Sequence, residues 1–236
     1  MNKYLKNLNK IEFVVTNACS GNCKHCSQGA HTNLSCGIDP KIATDAIKYV
    51  SAEYEIQTVM AFGGEPLLYP DVVYAIMDAA TQMNVQKRQV ITNGFFSKDE
   101  NYICEVVKAL EKSGVNEILL SVDAFHQETI PIDVVKTFAK EVKKTDIPVF
   151  LQPAWLKSPT HDNPYNRQTG SILDSFKDIG IPENGGNVIF FEGNAKKYLW
   201  EYFLEDIPKN PYIDNPYDVR CLSFSPDGCV LDSNVY

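Results

Sequence analysis

Short runs of apolar residues, many of them β-branched, recur along the chain and predict β-strands. Polar or turn-forming residues bound each run, as expected for strands. The starts of these runs are 28 to 47 residues apart, which fits the size of successive strand–helix–strand units. The predicted strands span residues 11–16, 58–62, 89–92, 117–122, 149–154 and 187–191.

Between these runs, apolar residues recur at the spacing of amphipathic helices. The first helical segment has Asp39 as a predicted N-cap and Pro40 at the first helical position, where a missing N–H is tolerated. The third segment closes on Gly114, a residue type that favours helix ends. The predicted helices span residues 40–54, 71–83, 98–114, 132–144 and 171–180.

This alternation predicts an α/β fold with a parallel sheet covered by helices. Periodicity alone fits an open doubly wound sheet and a partial barrel equally well, because the six units are fewer than the eight of a closed barrel. In both folds the functional groups lie at the carboxyl ends of the strands. We therefore expect a site where the predicted strands end.

Two polar stretches interrupt the alternation. Residues 155–170 predict a long loop after the fifth strand, and loops of this length are often functional. Residues 205–219 are rich in proline and predict a linker, followed by a hairpin with its turn at Pro226–Gly228. The expected division is a barrel over residues 1–204 and a short C-terminal extension over residues 205–236.

The composition is that of a globular protein, with 44% of the 236 residues hydrophobic and 22% charged. The net charge of −8 disfavours non-specific binding to nucleic acid or to anionic membranes. No apolar run approaches the length of a membrane span, and none follows the basic residues 1–10 as in a secretory signal. We therefore expect a cytoplasmic protein whose seven cysteines stay reduced and available for metal.

Three of these cysteines, Cys19, Cys23 and Cys26, lie within eight residues directly after the first predicted strand. A structural zinc site normally has four protein ligands, whereas a [4Fe–4S] cluster held by three cysteines leaves one iron open. The spacing alone leaves three alternatives. They are such a cluster, a zinc site completed by His31 or Cys36, and a chance grouping of buried cysteines.

The next predicted strands also end in glycine or polar residues. Paired glycines allow a close backbone approach to a ligand, and a neighbouring carboxylate suits a cationic amine. Each signal alone is equally typical of a turn or of a hydrogen-bonded core residue. Their coincidence at successive carboxyl ends favours one shared site. The candidates are Gly63, Gly64, Glu65, Asn93, Ser121, Asp123 and Gln152.

The chain resembles the radical S-adenosylmethionine (radical SAM) superfamily in four motifs that occur in order. They are the C-x3-C-x2-C loop at 19–26, GGEPLL at 63–68, ITNG at 91–94 and SVDAFH at 121–126. The resemblance implies a partial (β/α)6 TIM-like barrel with a [4Fe–4S] cluster, whose open iron is chelated by SAM. One electron from the cluster would cleave SAM to methionine and a 5′-deoxyadenosyl radical, and that radical would abstract a hydrogen atom from the substrate.

The resemblance also implies roles for individual residues. The three clustered cysteines would bind iron, and the Gly-Gly-Glu run at 63–65 would hold the methionyl amine of SAM. Ser121 and Asp123 would face the ribose or the carboxylate of SAM, with Asn93 and Gln152 as weaker candidates.

Two further residues are candidates on chemical grounds. His126, beside Asp123, can donate or accept a proton near the substrate. Arg167, in the long polar stretch, can bind a substrate carboxylate through two hydrogen bonds. One position departs from the family pattern: the residue before the third cysteine is often aromatic in the family and is His25 here, whose imidazole can pack over the cluster edge in the same way.

The segment from Cys221 to Cys229 faintly resembles the start of the cysteine-rich extensions of radical SAM peptide and protein modifiers. Those extensions carry auxiliary iron–sulfur clusters, but the further cysteines of that pattern do not follow in this sequence. The alternative is a pair of thiols on a β-hairpin.

Three functions remain open at this point. The first, which we favour, is radical SAM modification of a peptide or protein, and the second is the same chemistry on a small metabolite or nucleotide derivative. Either enzyme would need an electron donor such as a flavodoxin or a ferredoxin. The third is a non-enzymatic zinc or iron–sulfur module for binding or electron transfer, against which the open coordination and the Gly-Gly-Glu run argue.

Overall fold

The computed structural model describes residues 2–29, 36–208 and 215–231, and it contains one large sheet of six parallel strands. The strand order across this sheet is β5-β4-β3-β2-β1-β8, and β6 and β7 form a separate parallel pair. The strands are β1 (Lys10–Val14), β2 (Thr58–Phe62), β3 (Lys87–Thr92), β4 (Glu117–Ser121), β5 (Val149–Gln152), β6 (Ala154–Trp155), β7 (Asn187–Val188) and β8 (Cys221–Phe224).

Helices connect the strands and cover one face of the large sheet. They are α1 (Pro40–Glu53), α2 (Pro70–Gln82), α3 (Glu100–Lys112), α4 (Ala124–Gln127), α5 (Ile132–Val142), α6 (Pro164–Asp174) and α7 (Gly193–Tyr198). The first four predicted strands and the first four predicted helices are confirmed, each to within two residues at both ends. Asp39 caps α1 as expected, because its side chain accepts a hydrogen bond from the Lys41 N–H at 2.8 Å.

The fifth and sixth strands differ from the prediction. Pro153 divides the predicted fifth strand into β5 and β6, because proline has no N–H to continue the ladder. The predicted sixth strand, 187–191, is reduced to the two residues of β7, which pair with β6. The chain before β7 also follows this edge, since the Leu151 N–H donates to Pro182 O at 2.9 Å. An interrupted segment of extended chain therefore lies beside β5, where the sixth strand of the barrel is predicted.

The prediction of a loop over 155–170 is wrong in its second half, where α6 begins at Pro164. The Asn163 side chain accepts from the Asn166 N–H at 2.9 Å, and Pro164 suits the first helical position. The helix predicted over 171–180 ends early, at Asp174.

The C-terminal segment supplies β8, which lies beside β1 at the edge of the sheet. The pairing is parallel, with Lys10 opposite Cys221 and Phe13 opposite Phe224. The predicted turn follows it, and the Gly228 N–H donates to Ser225 O at 2.9 Å. Of the predicted proline-rich linker, residues 209–214 lie outside the described residues.

The two faces of the large sheet differ in chemistry. The face under the helices is apolar and packs residues such as Phe13, Ile76 and Phe138 into the main core. The opposite face carries the buried polar side chains of Glu12 and Gln89 among smaller apolar groups. No helix of the described residues is long and apolar enough to cross a membrane.

Candidate active site

A cavity lies at the carboxyl ends of β1 to β5, at the edge of the sheet where the sequence predicts a site. It is lined by the loop after β1, by the ends of the neighbouring strands and by the chain after β7. Of the twelve residues predicted for the site, nine line this cavity. They are Cys19, Cys23, Cys26, Gly63, Gly64, Asn93, Ser121, His126 and Gln152.

The other three predicted residues do not line the cavity. Glu65 and Asp123 are fully buried and bond to residues that line it. Arg167 lies on α6 with 61% of its side chain exposed and pairs with Asp162. The structure therefore does not bring Arg167 to the cavity, because the helix presents this side chain to solvent.

The Gly63–Gly64 pair permits a close backbone approach, but the chain that approaches is the cysteine loop itself. The Gly64 N–H donates to Thr16 O and the Glu65 N–H donates to Ala18 O, both at 2.8 Å. A Cβ atom on Gly64 would lie 2.0 Å from Ala18 O, a distance that no side chain can adopt. The paired glycines therefore fix the start of the cysteine loop against the end of β2.

Glu65 is a buried connector between this turn and the end of β3. One carboxylate oxygen accepts from the Leu67 N–H at 2.9 Å and from the Thr92 hydroxyl at 2.7 Å. The other accepts from the Asn93 N–H at 2.8 Å. Burial raises the pKa of Glu65 to about 7, although these donors favour the ionised form. Glu65 thus fixes the positions of two cavity-lining residues, Thr92 and Asn93.

Asn93 extends this arrangement to the cysteines. Its side-chain amide lies 3.6 Å from Cys19 Sγ, which also accepts from the Gly21 N–H at 3.3 Å. Burial raises the pKa of Cys19 to about 12 and also raises the pKa values of Cys23 and Cys26. Without a cation the three thiols are therefore protonated. A bound iron ion would displace those protons, because metals are bound by the thiolate form.

Asp123 and His126 form a buried dyad beside the cysteines. Asp123 Oδ2 lies 2.7 Å from His126 Nδ1 and accepts from the Ala154 N–H at 2.9 Å. Asp123 Oδ1 accepts from the N–H groups of Phe125 and His126 and so caps α4. Burial opposes ionisation of Asp123, but the charge and hydrogen bonds of His126 hold its pKa below the usual range. The dyad orients the imidazole, which lines the cavity.

His25 completes a group of side chains that resembles a metal site in composition. Its ring lies 4.8 Å from the ring of His126, and the ligand atoms of His25, Asp123 and His126 all lie within 4.8 Å of one another. The two Asp123 oxygens, however, already accept four hydrogen bonds. Because no acceptor position remains on the carboxylate, the arrangement suits orientation of His126 rather than metal binding.

Sequence reasoning missed part of the cavity wall. Asn187 to Phe190, in the chain that includes β7, line it, and so do Ser27 and Gln28 directly after the last of the three cysteines. The rule that sites lie at strand ends would have found Ile189 and Phe190, which lie in the second half of the predicted sixth strand. Gln28 Oε1 and His25 Nδ1 are buried and have no hydrogen-bond partner among the described residues. Both residues line the cavity, so a bound ligand can satisfy these atoms.

The remaining cysteines lie apart from the cavity. Cys221 begins β8 and is largely buried, whereas Cys229 is exposed beyond the turn, where its carbonyl pairs with the Ser225 N–H. The two thiols thus lie at the start of β8 and after the turn that follows it, as expected for a pair of thiols on a hairpin. Cys36 is exposed and does not line the cavity, and His31 lies outside the described residues.

The residues present fit a [4Fe–4S] cluster with one open iron. Three thiols line one cavity, and N–H groups point at the sulfur of Cys19, as is common around iron-bound thiolates. Among the described residues no fourth cysteine lines this cavity, as a closed four-cysteine zinc site would require. The space beside the cysteines is bounded by neutral hydrogen-bonding groups, by two orphaned polar atoms and by apolar side chains such as Phe62 and Ile189, which suits a ligand with polar and apolar parts.

Comparison with known sequences gives one family and several distant relatives. The sequence model of the family described as "Radical SAM superfamily" matches residues 13–150. The chain is 24% identical over 227 residues to a GTP 3′,8-cyclase of Alkaliphilus metalliredigens, covering 95% of this chain and 59% of that protein. It is 26% identical over 130 residues to the GTP 3′,8-cyclase of Rippkaea orientalis, covering 52% of this chain and 37% of that protein.

Comparison with solved structures confirms the expected partial barrel. Streptococcus suis SuiB bound to S-adenosylmethionine matches with a TM-score of 0.57 at 14% identity, over 96% of this chain and 60% of that chain. SuiB bound to its precursor peptide SuiA gives the same TM-score and identity, over 96% and 59%. HydG, a maturase of the [FeFe]-hydrogenase, has a TM-score of 0.55 at 14% identity, over 83% and 46%. The chain spans about 60% of the length of SuiB and of the first cyclase.

Proposed function

This chain belongs to the radical SAM superfamily, and we propose that it is an enzyme that uses a [4Fe–4S] cluster and S-adenosylmethionine to modify a peptide or protein. The observation that carries the proposal is the cavity, which joins three thiols to a wall of neutral hydrogen-bonding groups. When bound there, the cluster and SAM supply one-electron abstraction of a hydrogen atom from a substrate carbon.

The proposal assigns the three cavity-lining thiols, Cys19, Cys23 and Cys26, to iron. Gly64 and Glu65 hold the first part of their loop against the end of β2. Asn93 donates toward the sulfur of Cys19, which disperses negative charge on a bound thiolate. In this assignment the Glu65 carboxylate acts by positioning Thr92 and Asn93, since all its contacts are with protein donors.

The neutral groups along the strand ends are assigned to SAM. Ser121 at the end of β4 and Gln152 at the end of β5 lie opposite each other in register and both line the cavity. Hydroxyl and amide groups suit the ribose hydroxyls and the carboxylate of SAM. Gly63 and Gly64 line the cavity at the same edge, and we assign their carbonyl groups to the methionyl amine.

His126 is assigned to proton transfer at the substrate. Its Nδ1 is engaged by Asp123, which fixes the ring, and the imidazole lines the cavity. A histidine oriented by a buried carboxylate is a common arrangement for a general acid or base. Once a hydrogen atom is removed from a substrate carbon, His126 would accept the proton that a neighbouring N–H or O–H group of the substrate releases.

The absence of acidic and basic side chains from the described cavity wall favours a peptide over a nucleotide as substrate. Among the described residues that line the cavity there is no lysine, arginine, aspartate or glutamate. A nucleoside triphosphate is normally bound by cationic side chains or by a metal, so this wall is poorly suited to the substrate named for the cyclase relatives. A peptide presents neutral amide groups, which Gln28, whose side-chain oxygen has no partner among the described residues, can match. The structure of SuiB with a precursor peptide gives an example of this fold binding a peptide.

A nucleotide derivative is the second candidate, because the relatives in sequence are named as GTP 3′,8-cyclases. In both cases the enzyme requires a reductant, and we propose a flavodoxin or a ferredoxin as its source of electrons.

A deuterium-transfer experiment separates the two substrates. An extract from source cells grown in heavy water is divided into a peptide and protein fraction and a small-molecule fraction. Each fraction is incubated with the reduced enzyme and SAM, and deuterium in 5′-deoxyadenosine is measured by mass spectrometry. We expect deuterium transfer from the first fraction and its loss after protease treatment. Transfer from the small-molecule fraction, or stimulation of 5′-deoxyadenosine formation by GTP, would contradict a peptide substrate.

A further inference from the structure

The second half of the cysteine loop is bound by a short segment that is distant in sequence. Asn194, at the start of α7, is buried and donates its side-chain amide to Cys23 O at 3.0 Å. The backbone N–H of Asn194 donates to Cys26 O at 2.8 Å. One residue thus bonds to the carbonyl groups of two proposed iron ligands.

The neighbouring Gly193 brings its backbone against the same part of the loop. Its φ is +50°, and a Cβ atom there would lie 2.3 Å from Ser27 O and 2.4 Å from Cys26 O. Because both of these atoms belong to the backbone, a side chain could be accepted only if the loop moved. Gly193 is therefore required by the close packing of two chain segments and not only by its turn conformation.

Two other contacts of this part of the loop are longer or more exposed to solvent. The Cys26 N–H donates to Cys23 O at 3.2 Å within the loop. Lys24 pairs with Glu128 at 2.9 Å, but both side chains are well exposed, so solvent screens this ion pair. The buried contacts from Gly193 and Asn194 thus link Cys23–Ser27 directly to the segment that follows Ile189 and Phe190.

We propose that Gly193 and Asn194 form a clasp that holds Cys23 and Cys26 in the spacing needed to bind the cluster. The inference rests on the proposed iron-binding role of these cysteines. Both clasp residues are positioning residues, since they act on the cluster through the backbone of its ligands. The clasp also joins the cysteine loop to the cavity wall formed by the chain after β7, so that these two segments keep a fixed relative position.

The test compares how tightly the cluster is held in variants of the whole chain. Asn194→Asp keeps the shape of the side chain but removes the donor to Cys23 O, and Asn194→Ser restores a donor. Gly193→Ala introduces the clash. Gly185→Ala is the matched control, because Gly185 also has a positive φ, +85°, but has no atom within 4 Å of its Cβ position.

After anaerobic reconstitution, iron and sulfide are counted, and the loss of the cluster's visible absorption to a chelator is timed. We expect loss to be about 10–100-fold faster in Asn194→Asp and Gly193→Ala, the range typical when groups that support metal ligands are removed. Asn194→Ser should recover part of the retention, and Gly185→Ala should match the wild-type protein. Circular dichroism of the metal-free proteins should show the same helical signal in all of them.

Three outcomes overturn the clasp or its basis, and they are distinguishable. Wild-type retention in both clasp variants would refute the clasp alone. Faster loss that only parallels a loss of helical signal would show a general folding role and would also refute it. A wild-type protein that binds no cluster would instead refute the proposed function on which the clasp rests.

Discussion

The side of the cavity formed by β1 to β4, the regular side, differs in construction from the side formed by the chain after β5, the irregular side. On the regular side, complete strands end at or next to a polar residue that lines the cavity, such as Asn93 after β3 and Ser121 at the end of β4. On the irregular side, Pro153 interrupts the fifth strand and the sixth is reduced to two residues. The family match, residues 13–150, covers the regular side and stops where the irregular side begins.

The difference indicates how the fold separates two tasks. The regular side holds the proposed cluster ligands through hydrogen bonds that the strand ends require, so its geometry follows from the sheet. The irregular side contributes the clasp residues Gly193 and Asn194 to the cysteine loop, and we infer that the rest of this side sets the substrate. Asp123 joins the two sides, since it orients His126 and also accepts from the Ala154 N–H.

The largest effect is expected from Cys23→Ala on the regular side. Loss of one of three thiolates should prevent cluster assembly, so that iron after reconstitution falls to background and no 5′-deoxyadenosine forms. Cys104→Ala is the control, because Cys104 lies on α3 and does not line the cavity. A cluster of normal iron content in Cys23→Ala would remove this residue from the proposed ligand set.

The next effect concerns His126, where the two sides meet. In His126→Gln we expect the cluster and SAM cleavage to persist while product formation from substrate falls by about 100-fold or more, since only the proton-transfer group is lost. Product and 5′-deoxyadenosine are measured together in single-turnover reactions. His161→Gln, a change at an exposed histidine, should leave both yields unchanged. Full product yield from His126→Gln would show that proton transfer occurs elsewhere.

The smallest effect is a pH dependence that originates at Glu65 on the regular side. Burial raises the folded-state pKa of Glu65 to about 7, above its value in the unfolded chain. The folded state then holds more protons between these two values, so this residue stabilises the fold less as pH rises from 5 to 7. Relative to Glu65→Gln, the unfolding free energy of the metal-free protein should fall by about 1 kcal/mol per pH unit.

Urea unfolding of both proteins at several pH values measures this slope. Asp123 contributes with the opposite sign, because its pKa is held below the usual range and its stabilising effect is lost only in acid. A difference between wild type and Glu65→Gln that is the same at every pH would show that Glu65 stays ionised in the fold.

The sequence predicts the regular side well because its signals are local. Apolar runs, Asp39 before Pro40 and the polar residues after each run are enough to place four strands, four helices and nine residues around one cavity. The strands β6 and β7 have two residues each, too few to show the alternation of apolar and polar positions that indicates a strand. The irregular side could therefore not be predicted in the same way. The helix α6 was missed because its N-cap, Asn163, lies within a polar stretch typical of a loop.

The features of the site that the sequence did not predict depend on contacts between residues distant in the chain. Nothing near Asn194 in the sequence indicates that it bonds to Cys23 and Cys26, because 171 residues separate Asn194 from Cys23. Likewise, Gly64 is readily identified as a ligand-binding glycine, but the contact at its Cβ position is the cysteine loop. Arg167 carried the right chemistry for a carboxylate, yet the direction of its helix exposes it to solvent.

The central claim is that three thiols hold an iron–sulfur cluster with one open iron that activates SAM. Its most direct test is to reconstitute the whole chain anaerobically, count iron and sulfide, add dithionite and SAM, and quantify 5′-deoxyadenosine and methionine. The account predicts four irons and four sulfides per chain, as in a [4Fe–4S] cluster, and both products in equal amounts. A single zinc ion held by four side chains, or a complete cluster that never cleaves SAM, would contradict it.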